Sequence, residues 1–212
     1  KMKRVINLDN WNRKEHFKFF SALDDPFWGI TMTVDFTSIY QQSKNMEVSF
    51  FLYSVHFLLK CINATTAFKL RIENGEVVEY DKINISPTIG REDGTFGFGF
   101  FEYDTDLSLF IENAEKEIHR VKNSTGLSFS KDTARADVIR YSALPWFAFS
   151  EMKHAGSIQT GDSIPKISIG KLIQEKKKLL LPISISVHHG LVDGRNVAEF
   201  IQNVKDGQNN TL

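Results

Sequence analysis

The sequence predicts a mixed α/β fold, one domain in which a β-sheet is flanked by helices. Stretches with an apolar residue at every second position interleave irregularly with stretches of helical spacing. No internal repeat, low-complexity run or Pro/Gly/Ser-rich linker divides residues 1–212, a length that suits a single domain. With 42% hydrophobic and 25% charged residues the composition is globular. A chain of this size buries roughly 70% of its unfolded surface, so its core needs neither metal nor disulfide.

The elements follow in order. Asn10 stands as an N-cap before a short helix that opens at Arg13, Lys14 and Glu15 and runs through Phe20, with Phe17 and Phe20 on one face. Asp24-Asp25-Pro26 ends it. Residues 29–37 set Ile30, Met32, Val34 and Phe36 against Thr31, Thr33 and Asp35, which is a strand pattern. Residues 49–64 lack Pro and Gly and are apolar almost all round, which predicts a buried helix. Asn74-Gly75 between two short apolar runs (70–72 and 77–80) predicts a hairpin. Residues 95–103 alternate Gly with Phe and read as a strand whose glycines admit close neighbours. An amphipathic helix over 107–121 precedes a polar loop, 122–136, and a strand, 138–143. Two further strands, 168–172 and 179–187, flank the charged turn Gln174-Glu175-Lys176-Lys177-Lys178. A helix over 196–204 closes the domain and leaves 206–212 as a flexible tail.

Composition excludes several functions. Twenty-six basic residues balance 26 acidic ones, so no basic field for nucleic acid dominates the surface. The single cysteine, Cys61, excludes a disulfide framework within the chain and fits a reducing cytoplasm. The longest apolar stretch, 49–59, is too short to span a bilayer, and the first residues carry no secretory pattern. A soluble cytoplasmic protein is expected, with no nucleic-acid or membrane partner. Eighteen Phe, five Tyr and three Trp are a surplus of aromatics that fills a bulky core and also suits a pocket for a flat ligand.

One segment carries chemistry. The apolar strand Leu181-Pro182-Ile183-Ser184-Ile185-Ser186-Val187 ends in His188-His189, then turns through Gly190 and Asp193-Gly194 into a helix. A strand end is a rigid support, and imidazole, with an ordinary pKa of about 6.5, suits proton transfer near neutral pH. Taken alone, a His-His pair there is a structural pair. No Cys or carboxylate follows at a spacing that would complete a metal site, and none is expected.

His188-His189-Gly190-Leu191-Val192-Asp193-Gly194 resembles the His-His-x-x-x-Asp-Gly signature of the chloramphenicol acetyltransferase family. A looser His-x-x-x-Asp-Gly is shared with the catalytic cores of dihydrolipoamide acyltransferases. Asn10-Trp11-x-Arg13-Lys14-Glu15-His16-Phe17, Ser142-Ala143-Leu144-Pro145-Trp146 and Leu179-Leu180-Leu181-Pro182 resemble further segments of the family, in the family's order. The resemblance implies a two-layer sandwich and an acetyl-CoA-dependent O-acetyltransferase that inactivates chloramphenicol. It implies His189 as general base and Ser142 as donor to the oxyanion. It further implies Ser168 in place of a family threonine that holds a water, and a buried Asp193–Arg13 ion pair that shapes the loop. Phe19, Phe20, Phe96 and Phe129 fall near family residues that contact the acceptor. Acetyl-CoA is implied as a co-substrate rather than a bound cofactor, and a homotrimer with active sites between subunits as the assembly. Cys61 is read as a packed core residue.

The chain departs from the family around the acceptor. Arg195-Asn196 follows Asp-Gly where an aromatic and a histidine are usual, and Met152, His154, Gly156 and Lys166 stand where apolar residues are usual. Leu172 replaces an aromatic that stacks on adenine in some members, and Lys176-Lys177-Lys178 reads as a solvated turn. Two alternatives stay open: an acyltransferase of this fold with another hydroxyl or thiol acceptor, and a non-catalytic homo-oligomeric binding protein.

Overall fold

The computed structural model describes residues 2–156 and 161–209. The chain opens with β1 (Lys3–Val5), a short 3-10 turn, α1 (Lys14–Ser21), β2 (Phe27–Asp35), α2 (Thr37–Asn45) and α3 (Phe50–Asn63). The hairpin β3 (Leu70–Glu73) and β4 (Glu76–Tyr80) follows, then β5 (Asn84–Gly90), β6 (Phe96–Phe98) and α4 (Leu107–Lys122). The last third comprises β7 (Val138–Ala143), β8 (Lys166–Ile169), β9 (Ile173–Glu175), β10 (Lys178–His188) and α5 (Gly194–Asn209). The larger sheet runs β2-β10-β8-β7-β5-β6, with β9 paired to the start of β10, and a smaller one runs β1-β4-β3. Only the β5–β7 and β7–β8 pairings are parallel, so the large sheet is mixed.

Alternation along β10 divides the sheet into two faces. Ile183, Ile185 and Val187 are fully buried and join Ile167 and Ile169 of β8 in one core with Leu58 and Leu59 of α3, Phe110 of α4 and Phe200 of α5. Burying each of these side chains stabilises the fold by about 1.5–3 kcal/mol. Ser184, Ser186 and His188 alternate with them and point the other way. The helices therefore cover one face and leave the other polar.

Most predicted elements are present. Asn74 and Gly75 take the left-handed backbone that the hairpin turn requires (φ 51° and 81°). Asp106 caps α4, accepting from the amides of Ser108 and Leu109. Cys61 is a buried free thiol in the core, and burial pushes it up to about 12. Three differences have local causes. The residues 95–103 form only a three-residue strand: the Phe98 amide turns to Leu127, and Pro87 accepts from the Gly99 amide but has no N–H to return, so pairing beyond Phe98 shrinks to a single Ile85–Phe101 bridge. Phe36 leaves β2 for the start of α2, where Asp35 accepts from the amide and hydroxyl of Thr37. The tail expected over 206–212 does not begin there: α5 continues through Asn209, with Gly207 packed near Phe57 and the Ser38 hydroxyl donating to Gln208. Residues 210–212 lie outside the described residues. Among the described residues, no helix is long and apolar enough to cross a membrane.

Candidate active site

β10 is paired with β2 on one side and β8 on the other, and its last residue, His188, lies opposite Phe27. The turn beyond folds back on the strand end, since the amides of Leu191 and Val192 both donate to the His188 carbonyl. Gly190 donates its own amide to His188 Nδ1 at 3.1 Å. A Cβ at Gly190 would meet that ring at 3.0 Å and the Phe17 backbone at 3.3 Å, so the close approach needs glycine. With Nδ1 used as an acceptor, His188 carries its proton on Nε2. Burial pushes its imidazole down to about 4, with the neighbouring His189 adding to burial and Asp162 opposing it. His188 is therefore a structural group and a poor proton acceptor at neutral pH.

His189 is held differently. Its amide donates to the Pro26 carbonyl at 2.8 Å, and its carbonyl accepts from Arg13 Nη2 at 3.2 Å. The ring stacks on Phe20 and faces Trp28 at 5.5 Å between centroids. Nδ1 is buried with no partner among the described residues, which leaves Nε2 as the nitrogen available to a substrate. Arg13, at the entry to α1, forms an ion pair with Asp193 that is partly exposed rather than fully buried. Asp193 also caps α5, accepting from the amides of Arg195 and Asn196, while the Asn196 side chain accepts from the Asp193 amide. Burial alone would raise the Asp193 carboxyl, but the Asn196 amide and the Arg13 guanidinium hold it below the usual carboxylate range. Trp28 Nε1 donates to the Val192 carbonyl at 3.0 Å. The histidine turn is thus tied down from α1, from β2 and from α5.

The polar face carries a row of hydroxyls. Thr31, Ser184, Ser168 and Ser142 lie in register across β2, β10, β8 and β7. The Thr88 hydroxyl on β5 donates to Ser142 Oγ at 3.2 Å, which leaves the Ser142 proton available to another acceptor. Ser168 Oγ is 2.9 Å from His154 Nε2, and the Ser184 hydroxyl donates to the Met152 carbonyl at 3.4 Å. A groove of about 970 Å³ runs along this face, lined among others by Phe27, Trp28, Met152, His154, Lys166 and His188.

Within one chain the sequence-predicted residues fall into two groups. His189, Phe20, Phe19, Arg13 and Asp193 gather at the end of β10, with Phe19 exposed and edge-on to Phe20. Ser142 and Ser168 belong to the hydroxyl row. Phe98, opposite Thr88 in register, joins Phe96 edge-on and stacks on Phe129, and both Phe96 and Phe129 are exposed. Ser184 is in line with Ser142 two strands away and five residues before His189, so His189 and Ser142 stand about 19 Å apart in one chain. One chain does not bring His189 and Ser142 together. Reading the sequence did not single out Trp28 or Thr88. An indole is a frequent core residue and Thr88 follows Pro87 in a strand that sequence patterning does not reveal, so neither gave a signal.

A family model described as chloramphenicol acetyltransferase matches residues 2–205. Chloramphenicol acetyltransferase 3 of Escherichia coli is 27% identical over 98% of this chain and 97% of its own length. A chloramphenicol acetyltransferase of Clostridioides difficile is 28% identical, covering 95% of this chain and 93% of that one. Among solved structures, a chloramphenicol acetyltransferase superposes with a TM-score of 0.89 at 29% identity, over 97% of this chain and 99% of that one. A probable dihydrolipoamide acetyltransferase from Listeria monocytogenes shares the fold, with a TM-score of 0.68 at 13% identity over 100% of this chain and 95% of that one.

Proposed function

The chain belongs to the chloramphenicol acetyltransferase family, and from that premise we propose that it transfers the acetyl group of acetyl-CoA to a hydroxyl of chloramphenicol, inactivating the antibiotic. The observation that carries the mechanism is the presentation of His189: a ring clamped at a rigid strand end, with one nitrogen buried and the other free. Nε2 takes the proton of the acceptor hydroxyl as its oxygen attacks the thioester carbonyl, a general-base role worth about 10²–10⁴-fold in rate. The tetrahedral intermediate places negative charge on the former carbonyl oxygen, and the Ser142 hydroxyl donates to it. One such donor contributes about 10²–10³-fold. Collapse of the intermediate breaks the carbon–sulfur bond, and the leaving thiolate recovers the proton from the imidazolium. No acyl-enzyme forms. Ser168, in line with Ser142, holds a water near the intermediate. Arg13 and Asp193 shape the turn that carries the base.

His189 of one subunit works with Ser142 of its neighbour in a homotrimer. The separation of the two residues within one chain, and the exposed Phe19, Phe96 and Phe129 beside them, support this arrangement. Acetyl-CoA is a co-substrate, and its supply places the reaction in the cytoplasm. A second reading, a different hydroxylated acceptor, draws on the polar groups His154 and Lys166 in the groove.

Thiol release from acetyl-CoA, with chloramphenicol as acceptor, tests the proposal. Wild-type protein turns over, and His189→Ala loses at least about 10²-fold. Equal rates would refute the general-base role. Release seen only with other hydroxylated compounds would favour the second reading, and none with any acceptor would favour a binding protein.

A further inference from the structure

The start of β2 holds the histidine turn at two points. At the near end the Pro26 carbonyl accepts from the His189 amide at 2.8 Å. At the far end the indole Nε1 of Trp28 donates to the Val192 carbonyl at 3.0 Å. Trp28 lies opposite Val187 of β10, and its indole is partly buried against the core. Val192 is 2% exposed, so its carbonyl, deprived of that donor, has little water to turn to. The base stands between the two points. The indole also lies beside the imidazole itself, with 5.5 Å between centroids and a tilt of 41°. Phe20, stacked parallel to the imidazole, resists its tilting, but a parallel stack resists sliding much less. A second ring set at an angle adds contacts that a slide would break.

We propose that Trp28 is a positioning residue for acetyl transfer, with its N–H fixing the far end of the turn and its ring bounding the imidazole, so that Nε2 of His189 is held where it meets the acceptor hydroxyl. This rests on the reading of His189 as the base. The position calls for an indole: phenylalanine supplies a ring without the donor, and leucine supplies neither. A reacting nitrogen displaced by about 1 Å costs about 10²-fold in rate. Because Trp28 acts through His189, its loss falls on kcat; a residue that held a substrate equally in ground and transition states would show in KM instead.

The test compares wild type with Trp28→Leu and with a protein carrying benzothienylalanine at position 28, which keeps the bicyclic shape and puts sulfur in place of the N–H. Thermal unfolding confirms that each is folded. Thiol release with chloramphenicol is expected to show kcat about tenfold lower for the benzothienyl protein and about 100-fold lower for the leucine variant, with both KM values within about threefold of wild type. In protein labelled with nitrogen-15 at histidine, the His189 ring signals, assigned by their loss in His189→Ala, are expected to be a single sharp set in wild type and broadened or doubled in Trp28→Leu. Wild-type kcat in the leucine variant overturns the proposal, as does a loss carried by KM alone. Wild-type kcat in the benzothienyl protein overturns the tie to Val192. Unchanged ring signals in a folded leucine variant also overturn it, since the imidazole is then held without Trp28. Absence of thiol release from wild type, with the change in the ring signals intact, refutes acetyl transfer to chloramphenicol and leaves the placement of His189 by Trp28 standing.

Discussion

The Phe20 ring lies parallel to the His189 imidazole, with 8° between their planes and 3.9 Å between their centroids. Stacking of this kind contributes about 0.5–1.5 kcal/mol beyond burial and limits rotation of the ring about its χ angles. Phe20→Ala should therefore lower kcat about 10–100-fold through misplacement of the base, with little change in unfolding temperature. Phe20→Tyr should stay close to wild type. Undiminished turnover in the alanine variant would show that the stack does not position the base.

The Arg13–Asp193 pair can be tested separately from the helix cap. Asp193→Asn keeps an oxygen for the Arg195 and Asn196 amides and removes only the charge. The pair is partly exposed, so a loss of about 1–3 kcal/mol is expected by urea denaturation at pH 7. The native Asp193 carboxyl titrates below its ordinary 3.8. Its contribution is thus complete above that value and is lost as pH falls through the lowered one. Wild type and variant should converge in acid; a constant gap would refute the charge as its source.

Acid should act earlier through His188. Unfolded, it takes up a proton near the ordinary 6.5; folded, it resists protonation down to about 4. Unfolding then binds a proton throughout that window. The stability present above pH 6.5 falls by about 3 kcal/mol on the way to pH 4. His188→Asn, whose side-chain oxygen can still accept from the Gly190 amide, should flatten the dependence. Urea midpoints at pH 7 and pH 4.5 for both proteins decide it, and an unchanged slope would point to other groups.

Co-expression of His189→Ala and Ser142→Ala chains tests the shared site. Each variant alone is crippled. In mixed trimers an interface is whole when an intact histidine meets an intact serine, which random assembly gives at about a quarter of the sites. Activity near that fraction of wild type is expected. No recovery above either variant would mean that each chain completes its own site.

The histidine end of β10 was legible because its signals are local. An apolar strand that stops at His188-His189, and the Asp193-Gly194 start of a helix, show in any window of sequence. The elements that escaped notice depend on distant partners. β5 contains Pro87, which argues against a strand, yet β7 and β6 pair with it from both sides. β1 is three exposed residues whose backbone pairs with β4, and nothing in its own sequence announces a strand. α2 has two buried residues, Ile39 and Ser43, too few to give a helical pattern. The same applies within the site. The approach of Thr88 to Ser142 and of His154 to Ser168 joins segments 54 and 14 residues apart, and no spacing rule anticipates it.

β10 is hydrogen-bonded to β2 along its length to His188 and to β8 from Ile183 to Ser186. Local opening costs most where a strand is paired on both edges and buried beneath helices. The amides just before the histidines should then be among the slowest in the protein to exchange with deuterium. On heating, the enzyme should have no inactive but folded prelude: the temperature at which catalysis fails and the temperature at which the whole molecule melts should be the same.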